Sequence, residues 1–217
     1  MVTRIELPLF PLNVVLFPGM SLPLHIFEER YKLMINRCLE GNEEFGVVLI
    51  KSGKDVGGPA TPHEVGTTAK IAKVERKPEG NMDITVVGGS RFYINEVVET
   101  TPYLRARVEL VDDYELDSSY ASALRAKIEE MVNGCVQKLL AINGEWVRQV
   151  QLPATSSALS YLIAMRLPES NTVKQGLLEA PTTIVRLNKE LPLLQMQTER
   201  LEKAIVNKMW MQSAQLN

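Results

Sequence analysis

The stretch Leu7–Leu39, LPLFPLNVVLFPGMSLPLHIFEERYKLMINRCL, limits what this chain can fold into more than any other part of it. Its first half interleaves Pro8, Pro11, Pro18 and Pro23 with Leu, Val and Phe. Each proline removes a backbone donor and fixes its own φ, so this half reads as short extended segments separated by turns and not as a long helix. Phe17-Pro18-Gly19 is the sharpest break, because Pro presets one turn position and Gly accepts a positive φ at a later one. After His25 the period changes. Phe27, Tyr31, Met34, Ile35 and Cys38 recur at helical spacing as one apolar stripe, with Glu29, Lys32, Asn36 and Glu40 on the other side.

Gly41-Asn42 ends that helix, and Glu44–Ile50 reads as a mostly apolar strand. Lys51–Pro62, rich in Gly, Pro, Ser and Lys, reads as a loop. It is no phosphate loop, since Val48 and Asp55 stand where that template needs a glycine and a hydroxyl residue. His63–Lys77, Asn81–Val87, Arg91–Val98 and Tyr103–Asp112 read as strands of an antiparallel meander, with turns expected at Pro78–Asn81 and Gly88–Ser90. Phe92 is expected in the core and Arg91 in a local pair.

The polar run Asp113–Ser119 marks a boundary, which divides the chain into a β-rich subdomain, 1–113, and an α-helical subdomain, 114–217. Leu124, Ile128, Met131, Cys135, Leu139 and Ile142 give a long helix capped by Asp117 or Ser118 and stopped at Asn143-Gly144. Short helices follow over Glu145–Gln151, over Thr155–Met165 with Thr155 as cap, and from Pro168 to Leu178. A last helix runs from Pro181 or Thr182 to about Met211, and Pro192 is expected to kink or split it. Trp146 and Trp210 are expected in the helical core.

Composition restricts function. The chain has 217 residues, enough for a sizeable core without staples, and 24 Lys+Arg against 26 Asp+Glu. Nucleic-acid binders usually draw most of their affinity from basic excess, which is missing here. Cys38 and Cys135 read as reduced thiols used as small hydrophobes. His25 and His63 have no Cys or carboxylate at zinc spacing, so no metal site is expected. His25 reads as a hydrogen-bonded structural residue and His63 as solvated. No G-x-S-x-G elbow and no convergent acid–base pair is present, so neither a catalytic residue nor a cofactor site is nominated. No apolar run reaches membrane-span length and the amino terminus lacks a signal peptide's apolar segment, so a cytoplasmic location is expected.

The motifs LPLFPL at Leu7–Leu12, VVLFPG at Val14–Gly19 and LPLHIFEERY at Leu22–Tyr31, in this order before a helix, resemble the opening of the Lon protease N-terminal, substrate-recognition domain family. The resemblance continues through Val65–Val74, Asp83–Ile94, Tyr103–Glu109, Lys174–Glu179 and Arg186–Leu194. It implies an α+β fold: a β-rich, PUA-like pseudo-barrel with one inserted helix, followed by an α-helical bundle. It also implies a stand-alone bacterial, non-catalytic module that binds unfolded or tagged polypeptides in protein quality control, with a protease or chaperone as a further partner. The ATPase and Ser–Lys peptidase modules of Lon are absent from these residues. Candidate peptide contacts are Glu28, Glu29, Arg30 and Lys32, which match the family's charged run at the start of its first helix and otherwise read as a solvated helix face. The Lys51–Pro62 loop and any open strand edge are further candidates. Two alternatives remain on the sequence: nucleic-acid binding through the PUA-like barrel, and an uncharacterised hydrolase.

Overall fold

A computed structural model describes residues 3–53, 60–113, 118–143, 145 and 151–215, with side chains as far as 208. The chain forms two compact units, one of residues 1–112 with 169–179 and the other of 113–168 with 180–217.

The first unit holds six strands: β1 (Arg4–Leu12), β2 (Ser21–Ile26), β3 (Phe45–Gly53), β4 (Ala60–Arg76), β5 (Met82–Glu99) and β6 (Leu104–Val111). Their order is β2-β5-β4-β3-β1-β6, and β5 also pairs with β6. That extra pairing closes β1, β3, β4, β5 and β6 into a ring and leaves β2 attached to β5 alone. Only β1 and β3 run parallel. Inside the ring Leu7, Leu9, Val48, Phe92, Ala106 and Val108 pack together. A Cβ on Gly46 or Gly66 would stand 2.7 or 2.6 Å from the Phe92 ring, so these two positions are kept bare to seat it.

Helix α1 (Glu29–Gly41) is inserted between β2 and β3. Tyr31, Met34, Ile35 and Cys38 join Phe10, Ile26, Phe45, Met82, Ile84 and Val86 in a second cluster. The helix starts two residues after the first position of the apolar stripe, so Phe27 stays outside it and is 47% exposed. Lys32, expected on the polar side, is buried at 9% because its ammonium reaches the Glu79 carbonyl at 2.8 Å.

The Gly88–Ser90 turn expected between two strands does not form, and β5 runs straight through it. The β4–β5 register shifts here between Thr67 and Ala69, as a bulge does. The glycines serve close approach instead of reversal, since a Cβ on Gly88 would lie 2.2 Å from the Phe17 carbonyl oxygen. At this point β5 exchanges one neighbour for another, pairing with β2 over Met82–Val87 and with β6 from Arg91 onward. The ends of the expected Lys51–Pro62 loop are also strand, with Ser52 opposite Thr61 and Gly53 opposite Ala60. Residues 54–59 lie outside the described residues.

Helix α4 (Asn171–Leu178) belongs with the strands, although the sequence reading grouped it with the helices. Gln175 donates to the Val65 carbonyl at 3.0 Å, Asn171 to the Asn13 carbonyl at 2.8 Å, and Arg91 to the Leu178 carbonyl at 2.8 Å. Arg91 thus reaches a partner 87 positions away. Ser170 caps α4, which places Pro168 before the helix and not in its first turn.

The second unit contains α2 (Ser119–Asn143), α3 (Ser156–Arg166) and α5 (Thr183–Gln215). Ser118 caps α2 and Thr155 caps α3 through their hydroxyls. α2 and α5 lie side by side in the same direction, with Tyr120 hydrogen-bonded to Asn188 and Lys138 paired with Glu202. α5 is not split at Pro192. Pro192 is exposed within a continuous α5, so water can serve the Asn188 carbonyl that loses its donor. Residues 146–150 of the expected Glu145–Gln151 helix, with Trp146, lie outside what is described, as do Asp117 and the Trp210 side chain.

Candidate polypeptide-binding site

The charged start of α1 is built from side chains that face one another. Arg30 bonds the Glu28 carboxylate through Nε at 3.0 Å and Nη2 at 2.9 Å, and its guanidinium lies 4.5 Å from the centre of the Tyr31 ring. Lys32 donates to Glu29 at 2.8 Å as well as to the Glu79 carbonyl. Of the four predicted residues only Glu29 is largely exposed, at 89% of its side chain. The group is thus brought together, but mostly as internal pairs. Burial, partly opposed by Arg30, raises the pKa of the Tyr31 phenol.

Immediately before this helix, β2 carries exposed Ser21, Pro23 and His25 alternating with half-buried Leu22 and Leu24. His25 Nδ1 lies 2.6 Å from Asp83 Oδ1, the hydrogen bond expected for this histidine, although its ring is exposed and stacks on Phe27 at 5.9 Å. That bond, assisted by Lys77, holds the Asp83 carboxyl below its ordinary range. Beside them Pro23, Leu24, His25, Lys73, Glu75, Asp83, Ile84 and Thr85 line a shallow concavity of about 370 Å³. Sequence inspection missed this face, because Lys73, Glu75 and Asp83 join His25 only through the pairing of three strands.

Other features also bear on the chemistry. Burial pushes the Cys38 thiol up to about 11, which makes it a poor nucleophile. On the outer wall of the ring Arg4, Arg105 and Arg107 pair with Glu109, Glu6 and Glu96, so these cations are not gathered into a basic groove. His63 is part-buried, 3.3 Å from Glu179, and not simply solvated. Among the described residues, no group of three or more His, Cys, Asp or Glu is placed to hold a metal ion, and no helix is long and apolar enough to cross a membrane.

Residues 6–196 match the family model of the ATP-dependent protease La (LON) substrate-binding domain. The chain belongs to the Lon substrate-binding domain family. Similar proteins include the Lon protease of Anaeromyxobacter dehalogenans, 29% identical over 90% of this chain, and that of Flavobacterium johnsoniae, 28% identical over 91%. The chain spans only 24% and 25% of the length of these two relatives. Two solved structures share the fold of this Lon-family chain. The Lon N-terminal domain protein from Xanthomonas campestris superposes with a TM-score of 0.64 at 24% identity, covering 87% of this chain and 98% of that one. The N-terminal domain of Mycobacterium avium complex Lon protease gives 0.65 at 19% identity, covering 88% and 98%.

Proposed function

We propose that this chain is a non-catalytic polypeptide-binding module that captures unfolded or tagged proteins in the bacterial cytoplasm as part of protein quality control. The observation that carries the reading is the match of a substrate-binding domain model to residues 6–196. The site supports it: half-buried Leu22 and Leu24 and exposed Phe27 lie beside paired charges, which is apolar surface inside a polar rim. In this reading Glu28, Glu29, Arg30 and Lys32 form the rim, and Glu29, paired with Lys32 but 89% exposed, is the residue best placed to meet a basic client. Cutting of the captured chain, and any docking to a protease or chaperone, would need a separate polypeptide or further domains.

The test is retention on immobilised protein of a permanently unfolded polypeptide, its folded counterpart and single-stranded RNA across a salt series. The unfolded polypeptide should be held selectively and in high salt. Salt-sensitive retention of RNA would replace this reading with nucleic-acid binding, because phosphate contacts weaken as salt rises.

A further inference from the structure

The ladder between β2 and β5 shows which backbone groups of β2 are already used. Gly88 donates its N–H to the Met20 carbonyl at 2.9 Å and accepts from the Gly19 N–H at 2.8 Å, a bulged contact in which the Met20 carbonyl faces β5. The antiparallel register continues from Ser21 opposite Val87 to Ile26 opposite Met82. By the alternation of such ladders, Leu22, Leu24 and Ile26 turn N–H and C=O toward β5, and Ser21, Pro23 and His25 turn theirs away from it. Pro23 therefore places its missing donor on the open side, where an edge strand tolerates it. Among the described residues no backbone hydrogen bond from outside the ladder reaches Ser21, Pro23 or His25. β2 is also the one described strand with a single neighbour, because the other five close on one another.

We propose that the open edge of β2 receives an extended segment of a client polypeptide as an added strand, carrying apolar side chains at alternate positions. This deepens the reading above and rests on it. The unused groups are two N–H donors, on Ser21 and His25, and three carbonyls at strand spacing, a pattern that matches a peptide backbone. Alternation follows from the inner face of the sheet. Met20, Leu22 and Leu24 pack against the core there but are only partly covered, so a neighbouring strand would lay every second side chain over them. Its other side chains would fall beside His25 and the outer concavity, whose lining includes the charged Lys73, Glu75 and Asp83. A second copy of this chain fits less well. In the antiparallel register that engages all three outward residues, Pro23 meets Pro23, and both central carbonyls lack a donor. A foreign strand loses one such bond.

The experiment titrates a synthetic ten-residue peptide of alternating valine and serine, and the same peptide with its central residues N-methylated, into the whole chain. Amide hydrogen exchange is read residue by residue, with capture of a permanently unfolded polypeptide run in parallel. The unmethylated peptide should slow exchange at Ser21 and His25 at least tenfold and leave the already bonded Leu22 and Leu24 unchanged. N-methylation and the Ser21→Pro variant should each weaken binding at least tenfold. Binding that leaves Ser21 and His25 exchanging freely, or that tolerates N-methylation, would overturn this placement while the polypeptide-binding reading stood. Protection at Ser21 and His25 that rises with protein concentration without peptide would make a second copy the occupant and overturn the proposal. Failure to retain either peptide or unfolded polypeptide would remove both readings.

Discussion

The two units bury polar side chains in opposite ways. In the β-rich unit each reaches a backbone carbonyl, Thr67 that of Leu16, Arg91 that of Leu178, Gln175 that of Val65 and Lys32 that of Glu79, although Gln175 and Lys32 also bond Glu179 and Glu29. In the helical unit the partners are other side chains. Fully buried Arg186 donates through Nε to Ser160 at 2.8 Å, pairs with Asp113 at 3.3 Å and lies 3.9 Å from the centre of the Tyr161 ring. Ser160 in turn donates its hydroxyl to Glu190 at 2.9 Å, and Tyr161 donates to Asp113. The difference follows from backbone bookkeeping. A small barrel with bulges and proline-broken connections leaves carbonyls that no ladder reaches, whereas helices satisfy their own backbone internally. Buried polar side chains therefore stitch irregular segments in one unit and must find each other in the other.

Breaking the helical network should have the largest effect. Arg186→Met leaves the largely buried Asp113 carboxylate without its cation, and should destabilise by about 3–5 kcal/mol in denaturant unfolding. The aliphatic replacement keeps most of the volume, so the loss would be electrostatic and should be partly restored by Asp113→Asn in the same chain.

Glu190 sharpens the comparison through pH. Burial, opposed by the Ser160 hydrogen bond and the Arg186 charge, raises its carboxyl to about 8 from 4.5. The folded state then holds a proton that the unfolded chain has already released. Stability linked to this group is fully present below 4.5, falls as pH rises and levels off above about 8. At about 1.4 kcal/mol per pKa unit the full effect is on the order of 5 kcal/mol. Glu190→Gln, which keeps an amide in place of the protonated carboxyl, should flatten that slope and exceed the parent in stability at high pH. Unfolding midpoints measured at intervals between pH 5 and 9 test this, and an unchanged slope would show that another group carries it.

The smallest effect belongs to the β-rich unit. Thr67→Val removes the hydroxyl that bonds the buried Leu16 carbonyl at 2.6 Å while keeping the side chain's shape. It should destabilise by about 1–2 kcal/mol, with no change in pH dependence. If the loss matched that of Arg186→Met, the contrast between local stitching and a shared network would not hold.

Much of the fold was legible in the chain itself. The proline-broken opening, the stripe Tyr31, Met34, Ile35 and Cys38, and the caps Thr155 and Ser118 all act over a few residues, and local sterics and hydrogen bonding suffice to set them. The errors have a common cause. Gly88-Gly89 resembles a turn by composition, but the Phe17 carbonyl that demands a bare Cα at Gly88 lies far away in the chain. Arg186 and Glu190 sit at helical spacing within an apolar stripe, a signal of a buried pair, yet nothing local supplies Ser160 or Asp113.

What the amino-acid order determined alone was the menu of elements and the family motif, since both are written in neighbouring residues. Tertiary structure decided that the barrel closes without β2, that α4 returns to the strands, and that the charges of Glu28, Glu29, Arg30 and Lys32 are mostly spent on internal partners. These outcomes depend on which distant backbone groups meet, and periodicity in one segment carries no information about the partner it will face.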